Sequence, residues 1–188
     1  MTKNSYKILI ILILVLLIIF ILFRIIKIQD IILKLIYPKQ YSEYVDKYAQ
    51  QYNIDENLIY SIIKAESNFD VNATSNKNAK GLMQLLDSTA KELAQQENIQ
   101  YNENTTLYNP ETNIMLGTKY ISQLLSKYNN NIYLAVIAYN AGIGNVDKWI
   151  DNNIIKEDGS DIQNVPYKET NSYVRKIIRD YNIYKELY

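Results

Sequence analysis

Apolar and polar positions divide the chain into two unlike stretches. From Ile8 to Phe23 every residue is apolar. From about Lys39 onward apolar residues recur at spacings of three and four far more often than two, the period of helices that bury one face. As a helix the first run spans about 24 Å, short of a ~30 Å hydrocarbon core. Carried through Arg24 and Lys27 to Ile28 it reaches about 31 Å, and both cations sit near enough to the end to snorkel into the headgroups. The expected element is a transmembrane helix over residues 8–28. A cleaved signal peptide needs small residues after its apolar core, yet the first Ala is Ala49 and the first Gly is Gly81. Residues 1–28 therefore read as an uncleaved signal anchor, which would tether the chain to the cytoplasmic membrane. Lys3 and Lys7 on one side face Arg24, Lys27 and Lys34 on the other, so the positive-inside rule leaves its orientation open.

Residues 29–40 read as a juxtamembrane stalk. Ile25, Ile28, Ile32 and Leu35 repeat at three and four among Lys27, Asp30 and Lys34, which fits an amphipathic strip on the membrane or a short coiled-coil seam. Two heptads are too few to set a dimer, so monomer is the default and the oligomeric state stays open. Pro38 marks the end of the stalk. Residues 41–188 are then one domain of ordinary size, mainly α-helical. Tyr41, Tyr44, Val45, Tyr48 and Tyr52 form a first stripe, and Leu58, Ile62 and Glu66 share a face of a second helix that Asp55 caps. Asp87 is read as the cap of a short helix with Ala90, Leu93 and Ala94. Asn109-Pro110 opens a helix with Ile114, Gly117, Ile121, Leu124 and Tyr128 inward. Ile132 to Tyr139 is a central buried helix broken at Asn140, Gly142 and Gly144, followed by helices through Val146, Trp149 and Ile150 and through Tyr173, Val174, Ile177, Ile178 and Tyr181.

Composition narrows the chemistry. With no His and no Cys, a Ser-His-Asp triad, a thiolate nucleophile, a disulfide and an ordinary zinc site are all excluded. Twenty basic and twenty acidic residues cancel, which leaves no electrostatic footprint for nucleic acid. Catalysis would rest on carboxylates, hydroxyls, Lys or backbone groups.

Glu66 is the strongest candidate. A lone Glu on a helix is usually solvated, but this one continues the Leu58–Ile62 stripe, so its carboxyl sits where the helix leaves the core. Desolvation there raises its pKa, as a general acid near neutral pH requires. The polar loop from Ser67 to Lys80 returns into Gly81-Leu82-Met83-Gln84, a turn that would wall a groove beside Glu66 with the Gln84 amide facing a sugar. Taken alone it reads rather as a surface loop and a helix-start glycine. Ala138-Tyr139-Asn140-Ala141-Gly142 pairs an aromatic face with an amide among small residues, or is simply a helix end. Glu169 would orient a ligand, or merely favour a helix N-terminus.

In this order and spacing, Glu66-Ser67, Ser75, Gly81-Leu82-Met83-Gln84, Ala138-Tyr139-Asn140-Ala141-Gly142 and Glu169-Thr170 followed by Tyr173-Val174 resemble the catalytic domain of the soluble-type lytic transglycosylases, relatives of goose-type lysozyme. The resemblance covers about residues 41–188. It implies a mainly α-helical, lysozyme-like fold acting on peptidoglycan glycan strands, with Glu66 as the single catalytic acid/base. It further implies Ser75, Met83, Gln84, Tyr139, Asn140 and Glu169 as substrate-binding positions, with Tyr139 facing Glu66; Tyr173 is assigned to the groove as a ring for stacking on sugars. The chain departs from the family at Asp70-Val71, where Asn-Pro is frequent, at Asn78, where Gly is frequent, and at Asn171, where Arg is common. Asn tolerates a left-handed backbone best after Gly, so the turn at Asn78 is expected to survive.

The implied reaction breaks the β-1,4 bond between N-acetylmuramic acid and N-acetylglucosamine and closes a 1,6-anhydro ring, Glu66 serving first as acid and then as base, with no metal or cofactor needed. Hydrolysing glycosidases usually set two carboxylates roughly 5–9 Å apart. Asp70, four residues past Glu66 on a departing loop, and Glu169 are the acids a hydrolytic rival would use. A silent wall-binding module and a membrane scaffold are rivals of another class. Such a substrate places the domain on the extracytoplasmic face.

Overall fold

The computed structural model describes residues 3–188, and of these every side chain except those of residues 3–6, 8–13 and 26. The chain divides after Pro38 into two units. The first is one helix, α1 (Lys3–Ile36), which continues through residues 29–36 without a break. Leu14 to Phe23, the part of the apolar run whose side chains are described, stand exposed. The expected anchor over residues 8–28 falls in part outside the described side chains. Among the described residues no helix is long and apolar enough to cross a membrane.

The second unit is helical: α2 (Ser42–Tyr52), α3 (Glu56–Glu66), α4 (Asp87–Gln96), α5 (Pro110–Lys127), α6 (Ile132–Ala141), α7 (Ile143–Asp151) and α8 (Lys168–Leu187). Among the described residues β-type pairing is confined to two isolated bridges, Thr74 with Lys80 and Lys80 with Leu85.

Two helix starts follow from local chemistry. The Asp55 carboxylate accepts from the Asn57 backbone N–H at 2.9 Å, and the Asn109 side chain accepts from that of Thr112 at 2.9 Å ahead of Pro110. Each such cap contributes about 1 kcal/mol. Asp87 does not cap α4. It is the first residue inside the helix, after Leu86, and its carboxylate is taken by the Lys80 ammonium at 2.8 Å and the Tyr101 hydroxyl.

With only five glycines in the chain, the turns fall to another residue. Among the described residues, seven of the ten non-glycine positions with positive φ are Asn, including Asn53 after α2 and Asn153 after α7. The short amide side chain bears the left-handed backbone better than other L residues.

α5 lies at the centre, packed against α2, α4 and α6. Ile114, Leu116, Ile121 and Leu124 are buried along it, each contributing on the order of 1.5–3 kcal/mol. α6 is buried from Leu134 to Ala138, as its unbroken apolar run requires. Gly142 ends it at φ 85°; Asn140 stays inside α6 and Gly144 belongs to α7. Two elements thereby come to the same place: the C-terminal end of α3, with Glu66, and that of α6, with Tyr139 and Asn140.

Candidate active site

Glu66 is the last residue of α3 and is half-buried. The chain turns away at Ser67, whose hydroxyl reaches the Leu82 carbonyl at 2.8 Å and so ties the helix end to the segment 74–85. That segment is a strap. Ser75 N–H donates to Ala79 O at 2.9 Å, Ala79 N–H to the Ser75 hydroxyl at 3.0 Å, and Lys80 and Leu85 exchange backbone bonds at 3.0 and 3.1 Å. Asn78 takes the left-handed turn at φ 61°.

The strap is anchored from beneath by Asn113 of α5, which is fully buried. Its amide nitrogen donates to the carbonyls of Lys80 (3.0 Å) and Leu107 (2.9 Å), and its oxygen accepts from the Met83 N–H at 2.8 Å. Gly81 is required here. A Cβ on it would lie 2.2 Å from the Asn113 amide nitrogen and 2.1 Å from the Leu107 carbonyl oxygen, at a φ of +75°. Gly117 is required for the same packing, since a Cβ there would lie 2.3 Å from the Met83 sulfur.

Glu66 lines a groove of about 460 Å³. The strap contributes Ser75, Asn76, Lys77, Ala79, Gln84 and Leu86; the end of α6 contributes Tyr139 and Asn140, and the first turn of α8 contributes Glu169. The Tyr139 hydroxyl donates to the Met83 carbonyl at 2.7 Å, and its ring packs on Tyr120 with centroids 5.2 Å apart. The Thr170 hydroxyl donates to the Asn140 side-chain oxygen at 2.7 Å, joining α8 to α6. One turn further along α8 the Tyr173 hydroxyl donates to Glu66 Oε1 at 2.6 Å, and the Lys176 ammonium donates to the Ala65 carbonyl at 3.2 Å. Glu169, Tyr173 and Lys176 stand at i, i+4 and i+7, one face of a helix.

Burial dominates the electrostatics. It pushes the Glu66 carboxyl up to about 7, against the Tyr173 hydrogen bond and the Lys176 charge, which pull it down; the Glu169 charge adds to the rise. The Tyr173 and Tyr139 phenols are held well above their ordinary value, first by burial and then by the Glu66 charge. Both therefore stay donors at neutral pH. The arrangement is a protonatable acid with one oxygen fixed by a phenol, facing a groove lined with amides, hydroxyls and one ammonium. Such a group can deliver a proton to an oxygen bound in the groove and take one back.

A family model described as "Transglycosylase SLT domain" matches residues 43–162. The chain belongs to the SLT transglycosylase family. A Haemophilus influenzae relative provisionally named a soluble lytic murein transglycosylase is 37% identical over 156 residues, 82% of this chain and 26% of its own. Membrane-bound lytic murein transglycosylase C of Sodalis glossinidius is 34% identical over 57% of this chain and 32% of its own. The crystal structure of an inactive Glu-to-Gln mutant of Pseudomonas aeruginosa lytic transglycosylase Slt shares 33% identity, with a TM-score of 0.73 over 80% of this chain and 24% of that one. The SLT domain here thus has the mainly helical, lysozyme-like fold, and the chain spans between a quarter and a third of the length of these relatives.

Within this SLT domain Glu66, Ser75, Gln84, Tyr139, Asn140 and Glu169 all line the groove, although Glu169 lies beyond the matched segment. The expectations for Met83 and Tyr173 are corrected in their detail. Met83 does not reach the groove: its side chain is fully buried against α5, and only its backbone serves the site, through Asn113 and Tyr139. The Gln84 amide nitrogen donates to the carbonyls of Ala73 and Gly81, so within the groove its amide oxygen is the group offered to a ligand. Tyr173 is absent from the groove lining, and its hydroxyl is bound to the acid. Asn113, Lys77 and Leu86 were missed. Asn113 carries a signal in retrospect, an amide beside Ile114 on the inward face of α5, whereas Lys77 has none beyond its place in the polar loop.

Proposed function

We propose that the chain is a membrane-anchored lytic transglycosylase of peptidoglycan, with Glu66 as acid and then base. The observation that carries this reading is the half-buried Glu66 carboxyl, pushed up to about 7, held by Tyr173 and lining the groove. Glu66 gives its proton to the glycosidic oxygen between N-acetylmuramic acid and N-acetylglucosamine. The bond from C1 to that oxygen breaks while the N-acetyl carbonyl oxygen closes on C1, and the leaving sugar departs as an alcohol. The Glu66 carboxylate next removes the proton of the 6-hydroxyl. O6 then bonds to C1, displaces the N-acetyl oxygen and closes the 1,6-anhydro ring. Glu66 ends as it began, and no water is consumed. Ser75, Asn140 and Tyr139 hold the strand, and Tyr173 is a positioning residue that fixes one carboxyl oxygen and leaves the other for the substrate.

Family membership, the names of the relatives and the inactivity of the Pseudomonas aeruginosa Glu-to-Gln mutant support this reading. Glu66→Gln should lower turnover of purified sacculi by about 10² to 10⁴-fold with the fold retained; digestion at the normal rate would contradict the assignment. Of the two acids a hydrolytic mechanism would use, Glu169 is exposed and lines the same groove, whereas Asp70 is not in the lining. Mass spectrometry decides between the two mechanisms, because anhydro ends are one water lighter than the reducing ends hydrolysis leaves.

Residues 8–28 are proposed as the anchor, with the SLT domain on the extracytoplasmic face. The exposed side chains from Leu14 to Phe23 form an apolar surface that lipid would cover, and a membrane-bound relative is consistent with it. Protease added to intact spheroplasts should shave the domain; protection would refute this placement.

A further inference from the structure

We infer that Lys77 is a specificity-determining residue of the groove, a cationic seat for the carboxylates of stem peptides, so that strands with free carboxylates are preferred over the same strands made neutral. This rests on the reading of the chain as a peptidoglycan transglycosylase.

Among the described residues that line the groove, Lys77 alone is cationic. Seven other lysines of this unit are committed elsewhere. Lys39, Lys47, Lys80, Lys91, Lys119 and Lys127 each pair with a carboxylate, and Lys176 is bonded to the Ala65 carbonyl. Lys77 makes no ion pair among the described residues, and its side chain is exposed.

Its backbone is nonetheless fixed. Lys77 sits inside the turn that the Ser75 and Ala79 hydrogen bonds close and that Asn78 completes at φ 61°. A flexible ammonium on a rigid turn is suited to a ligand charge whose position varies, as carboxylates on a peptide do. Leu86, 44% exposed, lines the same groove. An exposed aliphatic group and an ammonium together match a substituent that carries methyl and carboxyl groups. The lactyl ether of N-acetylmuramic acid and the alanine that follows it supply the methyl groups, and the free carboxylates lie further along the stem peptide, within reach of a long flexible side chain. A bare N-acetylglucosamine polymer carries no carboxylate.

The test uses full-length protein in detergent micelles and soluble glycan strands bearing stem peptides. One portion keeps its carboxylates and the other is amidated with carbodiimide and ammonia. KM and kcat are measured on both for wild type, Lys77→Met and Lys77→Glu. Lys77→Met should raise KM for the carboxylate strands about three- to fivefold, the scale of one exposed ion pair, with kcat and the KM for amidated strands unchanged. Lys77→Glu should raise it further, about tenfold, and the wild-type preference should fade in about 0.5 M salt as the charge is screened. Equal changes on both strand forms, or no change on either while wild type cleaves both, would overturn the inference alone. If wild type cleaves neither form, the transglycosylase reading falls and this inference with it.

Discussion

The strap and the α8 face border the same acid, yet they are held by different means. The strap is fixed through its backbone by Ser75, the Gln84 amide and the buried Asn113. The α8 face is held through side chains: Thr170 on Asn140, Tyr173 on Glu66 and Lys176 on the Ala65 carbonyl. A backbone-pinned segment has one conformation or none. A face joined by side chains can lose a contact and keep its place, while the group it touches changes its chemistry. Damage to the strap should therefore register as lost stability, and damage to the α8 face as an altered acid.

The largest effect is expected at Asn113. Asn113→Ala would strand the Lys80 and Leu107 carbonyls and the Met83 N–H in the interior, a loss of about 3–5 kcal/mol in urea unfolding, with activity lost alongside. Next is Glu66 itself. Its folded pKa of about 7 lies above the ordinary 4.5, so the folded chain favours the protonated acid. That stability is fully present below 4.5 and is lost as pH rises through about 7. Glu66→Gln should thus stabilise the fold by about 2–3 kcal/mol at pH 8 and by almost nothing at pH 4, as paired thermal melts would show.

A smaller stability change but a clear kinetic one is expected for Tyr173→Phe. Wild-type kcat/KM should be level in acid and fall above about 7, where the proton to be donated is lost. Without the phenol the carboxylate loses a stabilising donor, so this alkaline limb moves to higher pH, kcat drops about tenfold and stability falls by only ~1 kcal/mol. Smallest is Lys176→Met, which removes an attraction for the same carboxylate. The limb should shift in the same direction by less, with stability within ~0.5 kcal/mol of wild type. A limb that moved to lower pH in either variant would show that the α8 face does not tune the acid as described.

Legibility in the sequence followed the range of the interaction. Asp55 and Asn109 were readable as caps because their partners lie two and three residues away. Asp87 was misread by the same rule, because its partners Lys80 and Tyr101 lie seven and fourteen residues off and outcompete the helix end. Asn78 was readable as a left-handed turn, since that preference resides in the residue itself. Met83 was placed in the groove by its position in a motif, and Tyr173 as a ring for stacking on sugars. The close approach permitted by Gly117 buries the first, and Glu66, 107 residues away, captures the hydroxyl of the second.

The sequence by itself determined the helices, the apolar α1, the absence of thiol and imidazole chemistry, and the order of residues that singles out Glu66. Those properties reside in single residues or in spacings within one or two helical turns. Tertiary structure alone decided that burial raises the pKa of the Glu66 carboxyl, that Asn113 fixes the strap, that the Tyr173 hydroxyl binds Glu66, and that Lys77 lines the groove. Each of these depends on which distant surfaces exclude water together, and that is a property of the packed chain.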